Sequence, residues 1–187
     1  MNKTASSPWL RAVDETHDLA GDEARHVLDP ESAFLGSCMD ESAAMRDIVV
    51  AAQYVRCEDF FDPRRAELFE GVAALAAEGV HPTAPLLHLR LLTSGGYGRT
   101  GGEHLLARQL VDAATSRDRL PGHVALYAVA VVDGALRRAH QAYGTAILEA
   151  GDRLSWEDQQ DLLRGGFARL EAQRARLDGL RSEVRCA

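Results

Sequence analysis

The sequence predicts an all-α protein in which a compact helical domain is followed by a long C-terminal helical hairpin. Apolar residues recur at steps of three and four along most of the chain, and no alternating strand pattern of useful length occurs. Asp-Pro pairs, Ser and Thr stand where helices should begin, and glycines stand where they should end. These signals divide the chain into a polar acidic arm (1–28), a globular helical domain (29–119) and the hairpin (120–187).

The arm contains five acidic residues and few apolar ones, and Trp9 and Leu10 could hold it against the domain or a partner. Asp29-Pro30 is a helix start, because the aspartate can cap the helix and proline suits its first position. This first helix should bury Ala33, Phe34 and Cys38. Asp40 should cap a second helix, whose apolar residues are Ala44, Met45, Ile48, Val49 and Ala52.

Asp62-Pro63 should begin a third helix that runs to about Glu78 and ends at Gly79. Thr83 can cap a fourth helix that extends through Leu92. After the glycine-rich loop 95–102, a fifth helix should bury Leu105, Leu106, Leu110, Val111 and Ala114.

The hairpin consists of two amphipathic helices with coiled-coil spacing. Gly151 should end the first helix, and Ser155 should cap the second together with Asp158. The first helix carries a seam of Ala125, Val129, Val132, Leu136, Ala139, Tyr143 and Ala146, and the second a heptad repeat of Leu163, Leu170, Leu177 and Val184 with Phe167 between.

The seam alternates small and large residues, so a neighbouring helix should approach closely over the alanines. A helix of about 28 residues is roughly 42 Å long, which is long for a small domain to cover. Ordinary packing inside a bundle and self-association between chains both explain the pattern. For self-association, the expected contact residues are Val129, Val132, Leu136, Tyr143, Leu163, Phe167, Leu170 and Leu177.

Composition limits the functions available. The net charge of −7 disfavours non-specific nucleic-acid binding, so contact with DNA should be weak or indirect. Lys3 is the only lysine, which excludes a phosphate-binding or Schiff-base lysine within a folded site. Three unpaired cysteines, the lack of a signal peptide and the lack of an apolar stretch of 18 residues favour a cytoplasmic protein without a membrane span.

No catalytic, cofactor or metal site is expected. Gly96 to Gly101 matches Gly-x-Gly-x-x-Gly but follows a helical segment instead of a strand. The seven histidines form no pair with metal-ligand spacing. Glu58 and Asp59 stand at a helix start, where carboxylates cap, while Arg137 and Arg138 could pair within their helix or meet acidic groups of a partner.

Four segments resemble one known family, and they occur in the right order. The longest is Glu58 to Gly79, EDFFDPRRAELFEGVAALAAEG, an acidic-Asp-Phe-aromatic turn that leads through a basic residue into a helix. The others are Glu31 to Gly36 with its Leu-Gly pair, Gly101-Gly102 before Leu105-Leu106, and His123 to Arg138. Together these segments resemble the N-terminal collar domain of DnaB-family replicative helicases.

The resemblance implies a non-catalytic DNA-replication protein that forms a homodimer or a ring of dimers. It also implies a role in the primosome through a replicative helicase, a DnaG-type primase or a loader. The family continues into an ATPase domain with a Gly-x-x-x-x-Gly-Lys-Ser/Thr loop, and no such motif occurs in these residues. The protein is therefore expected to be free-standing or cut from a longer helicase.

Two alternatives remain at this stage. A helical regulator or adaptor, for example one that serves plasmid or phage control of replication, would use the same scaffold. A helical enzyme that binds a nucleotide or another small molecule would need a site that the sequence does not display.

Overall fold

The computed structural model of the chain describes residues 29–95, 103–116, 123–151 and 153–186. Within these residues it contains helices and no strand, which confirms the predicted all-α class. The helices are α1 (Pro30–Cys38), α2 (Met45–Tyr54), a 3₁₀ turn (Cys57–Asp59), α3 (Pro63–Ala77), α4 (Ala84–Ser94), α5 (Glu103–Thr115), α6 (Val124–Gly151) and α7 (Trp156–Cys186).

The short helix α1 is the centre of the domain. Asp29 caps it as predicted, and its carboxylate accepts hydrogen bonds from the backbone N–H groups of Glu31 (3.1 Å) and Ser32 (3.5 Å). Nearly every residue of α1 is buried, because α3, α5 and α6 pack around it. The ring of Phe34 lies among those of Phe60 and Phe69, with centroids 5.3 to 6.3 Å apart, a spacing typical of packed aromatic pairs.

Helix α2 begins later than predicted. The carboxylate of Asp40 accepts hydrogen bonds from the backbone N–H (2.9 Å) and the hydroxyl (2.6 Å) of Ser42, so this residue stabilises a turn and does not cap a helix. The helix starts at Met45, with Ala44 in the cap position and no side-chain cap.

Helix α3 follows its prediction closely. The Asp62 carboxylate accepts a hydrogen bond from the backbone N–H of Arg64 at 2.9 Å, and hydrogen bonds from the Arg64 side chain lower the pKa of Asp62. Gly79 follows the helix with φ of 73°, a left-handed conformation that glycine adopts without steric cost.

Helices α4 and α5 cover α3 from one side. Thr83 precedes α4, but its side chain makes no capping hydrogen bond. In α5, Leu106 and Leu110 are buried as predicted, whereas Leu105 and Val111 are exposed because they lie to either side of the buried face of the helix. Residues 96–102 of the glycine-rich loop, the arm 1–28 and the predicted boundary at 119–120 lie outside the described residues.

The hairpin helices have the predicted ends. Helix α6 has 28 residues and ends at Gly151. Ser155 precedes α7, and its hydroxyl oxygen accepts a hydrogen bond from the backbone N–H of Asp158 at 3.2 Å. The first half of α6 buries a stripe against α1 and α2 that shares Val132 with the predicted seam and otherwise differs from it, the other members being Val124, Tyr127, Ala128, Val131 and Ala135.

Tyr143 joins the two hairpin helices in their outer half. Its hydroxyl donates to the backbone carbonyl of Leu163 at 2.7 Å. Its ring lies directly over Gly166, where a Cβ would stand 2.0 to 2.7 Å from three ring atoms. Only glycine therefore fits at position 166 with the ring in this place.

We expect Gly166→Ala to destabilise the protein although alanine favours helix. Gly165→Ala is the matched control, because a Cβ at that position meets no atom within 4 Å. The control should gain up to about 1 kcal/mol from helix propensity. Gly166→Ala must displace the Tyr143 ring and should be less stable than the control by at least about 1 kcal/mol. Urea unfolding measures both, and equal gains would contradict the ring contact.

Candidate self-association surface

The structure divides the eight predicted contact residues into two groups. Val132 and Leu177 lie in the core of the same chain, with 0% and 2% of their surface exposed. Val129 and Leu136 are half-buried and pack against that core. At these four residues the base of the hairpin packs on the globular domain, which leaves less of their surface for a second chain than at the outer half.

The other four residues lie in the outer half of the hairpin. Phe167 is 59% exposed and Leu163 is 38% exposed. Tyr143 and Leu170 are half-buried between the two helices. Of the predicted seam, this outer part is the region that offers apolar surface to solvent.

Three further apolar side chains near the hairpin tip were missed by the sequence prediction. Leu148, Leu154 and Trp156 are all exposed, and Trp156 retains 72% of its surface. The heptad repeat contained the signal for Trp156, which lies seven residues before Leu163. We define the outer stripe as Leu148, Leu154, Trp156, Leu163 and Phe167.

Burial increases steadily along the heptad positions of α7. Trp156 is 72% exposed, Leu163 is 38% exposed, Leu170 is half-buried and Leu177 is 2% exposed. The same face of one helix therefore begins in solvent at the hairpin tip and ends in the domain core. An apolar helix face left open in this way is typical of a protein interaction site.

A buried ion pair holds α7 against the domain. The carboxylate of Asp59 is fully buried and accepts two hydrogen bonds from the Arg176 guanidinium, at 2.5 and 2.7 Å. Arg176 also donates to the carbonyl of Tyr54 at 2.8 Å, and Asp59 accepts from the backbone N–H of Arg56 at 2.8 Å. Asp59 caps its own 3₁₀ turn, as the sequence suggested. It also anchors a long-range ion pair with Arg176, which the sequence did not suggest.

A second set of contacts holds α6 against the same turn. Arg138 donates to the carbonyl of Asp59 at 2.5 Å, and its guanidinium lies 3.7 Å from the carboxylate of Glu31. Glu31 is 5% exposed and accepts from the backbone N–H of Phe61 at 2.7 Å. Arg138 is thus used within the chain, whereas the exposed Arg137 pairs with Asp133 on its own helix.

Two cysteines among the described residues have perturbed thiols. Burial raises the pKa of the Cys38 thiol, and burial together with the Glu70 carboxylate raises that of Cys57, so neither is an activated thiolate. Among the residues that the structure covers, His, Cys, Asp and Glu form no group of three suited to a metal ion. None of the helices placed here is long and apolar enough to cross a membrane.

Comparison with known proteins gives one family and one fold. The model of the DnaB-like helicase N-terminal domain matches residues 23–128. The chain is similar in structure to the N-terminal domain of the DnaB helicase from Mycobacterium tuberculosis, with a TM-score of 0.57 and 20% identity, over 75% of this chain and 94% of that one. No curated protein sequence matches significantly.

We expect Arg176→Met to destabilise the protein by about 3 to 5 kcal/mol, because the buried Asp59 charge loses its partner. Arg174→Met is the control, since Arg174 is 75% exposed and lies 3.8 Å from Asp178. The control should cost less than about 1 kcal/mol.

The double variant Asp59→Leu/Arg176→Met removes both charges and should recover part of the loss. Urea unfolding of the single and double variants gives the coupling free energy. A double variant whose loss equals the sum of the two single losses would show that the groups do not interact.

Proposed function

The chain belongs to the family of DnaB-like helicase N-terminal domains, and from this premise we propose that it is a non-catalytic DNA-replication protein that self-associates through its hairpin. The observation that carries the proposal is the outer stripe, an apolar surface at the end of a hairpin whose base is fixed in the domain. Its occupant in this proposal is the same stripe of a second copy.

The charge and spacing of the stripe support pairing between copies. Trp156, Leu163 and Phe167 are separated by seven and four residues, so they lie along one side of α7. Two such faces can pack against each other in a two-fold arrangement, in which the same surface patch of both copies forms the interface. Tyr143 and Leu170 would support this interface from behind.

The work of the protein in this proposal is binding. The family match and the lack of a metal cluster or activated thiol among the described residues favour a role without chemistry. The partner would be a replicative helicase, a DnaG-type primase or a loader in the cytoplasm, and any contact with DNA would pass through that partner. A helical regulator or adaptor on the same scaffold is the alternative.

We expect Phe167→Asp to lower the solution mass of the protein to that of the monomer. Phe167 is 59% exposed, so burying the exposed part of it in an interface contributes about 1 to 2 kcal/mol in each copy, and its loss should weaken a symmetric dimer by at least roughly 20-fold. Leu89→Asp is the control, because Leu89 is 56% exposed on α4, away from the hairpin.

Sedimentation velocity over a range of concentrations measures the mass of each variant. The proposal requires the control to keep the wild-type mass. An oligomer that survives Phe167→Asp and Trp156→Asp together would place the interface elsewhere.

We also expect the purified protein to bind at least one of three purified replication proteins from the same cell, namely the helicase, the primase or the loader. Surface plasmon resonance with the immobilised full chain measures each pair. Binding that falls with Trp156→Asp but not with Leu89→Asp would show that partner binding needs the outer stripe, either directly or through self-association. Lack of binding to all three proteins would favour the regulator or adaptor.

A further inference from the structure

A cavity of about 550 Å³ opens between the two hairpin helices, beside the domain. Its α6 wall consists of Ala139, Ala142 and Ala146, and the Tyr143 ring lies among them. The alanines were predicted to let the neighbouring helix approach closely, and the two hairpin helices do make extensive contact, with the cavity beside that contact. The cavity is partly open to solvent, and its volume is that of a site for a small ligand or a few side chains.

The α7 wall of the cavity is mixed, with apolar side chains such as Leu162 and Leu170 beside three polar ones. Arg169, Gln173 and Arg176 line it at steps of four and three, so they project from one side of the helix. Arg56 lies at the rim, where its guanidinium is 3.5 Å from the carboxylate of Glu58. Arg176 is paired with Asp59 and Arg56 with Glu58, so Arg169 is the arginine of this cavity that has no ion pair with a described residue.

Two of the arginines have unused binding capacity. The Arg176 side chain is 10% exposed and has five N–H donors, of which three are used on Asp59 and Tyr54. Its Nε–H and one Nη2–H have no hydrogen bond among the described residues. Arg169 makes no ion pair with any residue that the structure places. A carboxylate entering the cavity would satisfy these donors, because guanidinium groups bind carboxylates strongly.

We propose that the cavity binds the N-terminal arm of the same chain through the segment Trp9 to Asp18. This segment joins apolar side chains, Trp9, Leu10 and Val13, to three carboxylates, those of Asp14, Glu15 and Asp18. It therefore matches both walls of the cavity, the alanine wall on α6 and the arginines on α7. The matched family model begins at residue 23, so this segment lies outside the part that the family shares.

The connection is long enough for the arm to reach. The bound segment ends at Asp18, and the eleven residues from there to Asp29 can span up to roughly 40 Å. Asp29 forms an ion pair with Arg65 at 2.5 Å, Arg65 lies 3.4 Å from Glu31, and Glu31 lies 3.7 Å from Arg138. Arg138 immediately precedes Ala139 of the cavity wall. A short series of side-chain contacts therefore connects Asp29, at the end of the arm, to the cavity wall.

Tethering makes even weak binding sufficient. A segment on a flexible linker has an effective concentration on the order of 1 mM. With a dissociation constant of about 0.1 mM for the free segment, roughly nine-tenths of the molecules would hold the arm in the cavity. The arm would then fill the space between α6 and α7 and brace the outer half of the hairpin.

Tryptophan fluorescence tests the proposal in the full chain. Trp9 and Trp156 are the only tryptophans, so Trp156→Phe leaves Trp9 as the single reporter. We expect its emission to lie to the blue of that of the free peptide 1–22. Acrylamide, an uncharged quencher, should quench it about fivefold less than it quenches the peptide, since roughly nine-tenths of the arm is bound. Equal quenching of protein and peptide would overturn the proposal.

A charge reversal identifies the site. Arg169→Glu in the Trp156→Phe background should move the emission and the quenching of Trp9 to the values of the peptide. Arg174→Glu is the control, because Arg174 is 75% exposed, pairs with Asp178 and does not line the cavity. Circular dichroism should show the same helix content in both variants. If both variants change the Trp9 signal equally, the cavity is not the binding site.

Protein concentration distinguishes the chain's own arm from that of a second copy. An arm bound within its own chain gives a Trp9 signal that stays constant as the protein is diluted into the monomeric range. A signal that moves toward the peptide values on dilution would mean that the arm occupies another copy. That result would contradict the proposal. None of these measurements depends on which replication partner the protein binds.

Discussion

The ion pair between Asp59 and Arg176 is the constraint on which the arrangement of the hairpin depends. Its carboxylate has no exposed surface, and the two residues are 117 positions apart in the chain. Removing two charges from water costs nearly as much as their attraction returns, so such a pair adds little net stability. Its effect is on specificity. Any other register of α7 against the 3₁₀ turn would leave a buried charge without its partner, and the hairpin base is therefore held in one position.

Most of the helices could be predicted because their signals are local. The caps at Asp29, Asp62 and Ser155 involve backbone groups two or three residues away, and all three form. Asp40 had the same signal but binds Ser42 in a turn, because a short polar side chain stabilises turns as readily as helix ends. The Asp59–Arg176 pair had no local signal, since nothing near Asp59 indicates which arginine meets it. The fold class was therefore predictable, whereas the way in which the hairpin docks was not.

Only part of the candidate surface could be predicted from the sequence, for a related reason. A heptad repeat identifies the face of α7 that is apolar, but it does not identify what covers that face. In the structure the domain covers it at Leu177, and solvent meets it at Trp156. The change occurs along the helix because Arg176 fixes one end of α7 to the domain while the tip extends beyond it. The position of a residue in the heptad repeat therefore does not show whether it is exposed to solvent. Its distance along α7 from Arg176 also has to be known.

The alanines of α6 likewise show that a sequence pattern does not by itself determine how a helix is covered. Small residues at helical spacing permit close approach of a second helix, but they do not enforce it. The two hairpin helices do contact each other, and α7 is held beside the 3₁₀ turn by Arg176 on Asp59 and against α6 by the Tyr143 ring on Gly166. The polar side chains of Arg169 and Gln173 also face the alanines, and an apolar wall gives them no hydrogen bonds. An alanine wall opposite fixed polar groups therefore leaves a cavity, and a complementary chain segment can stabilise it by satisfying both sides.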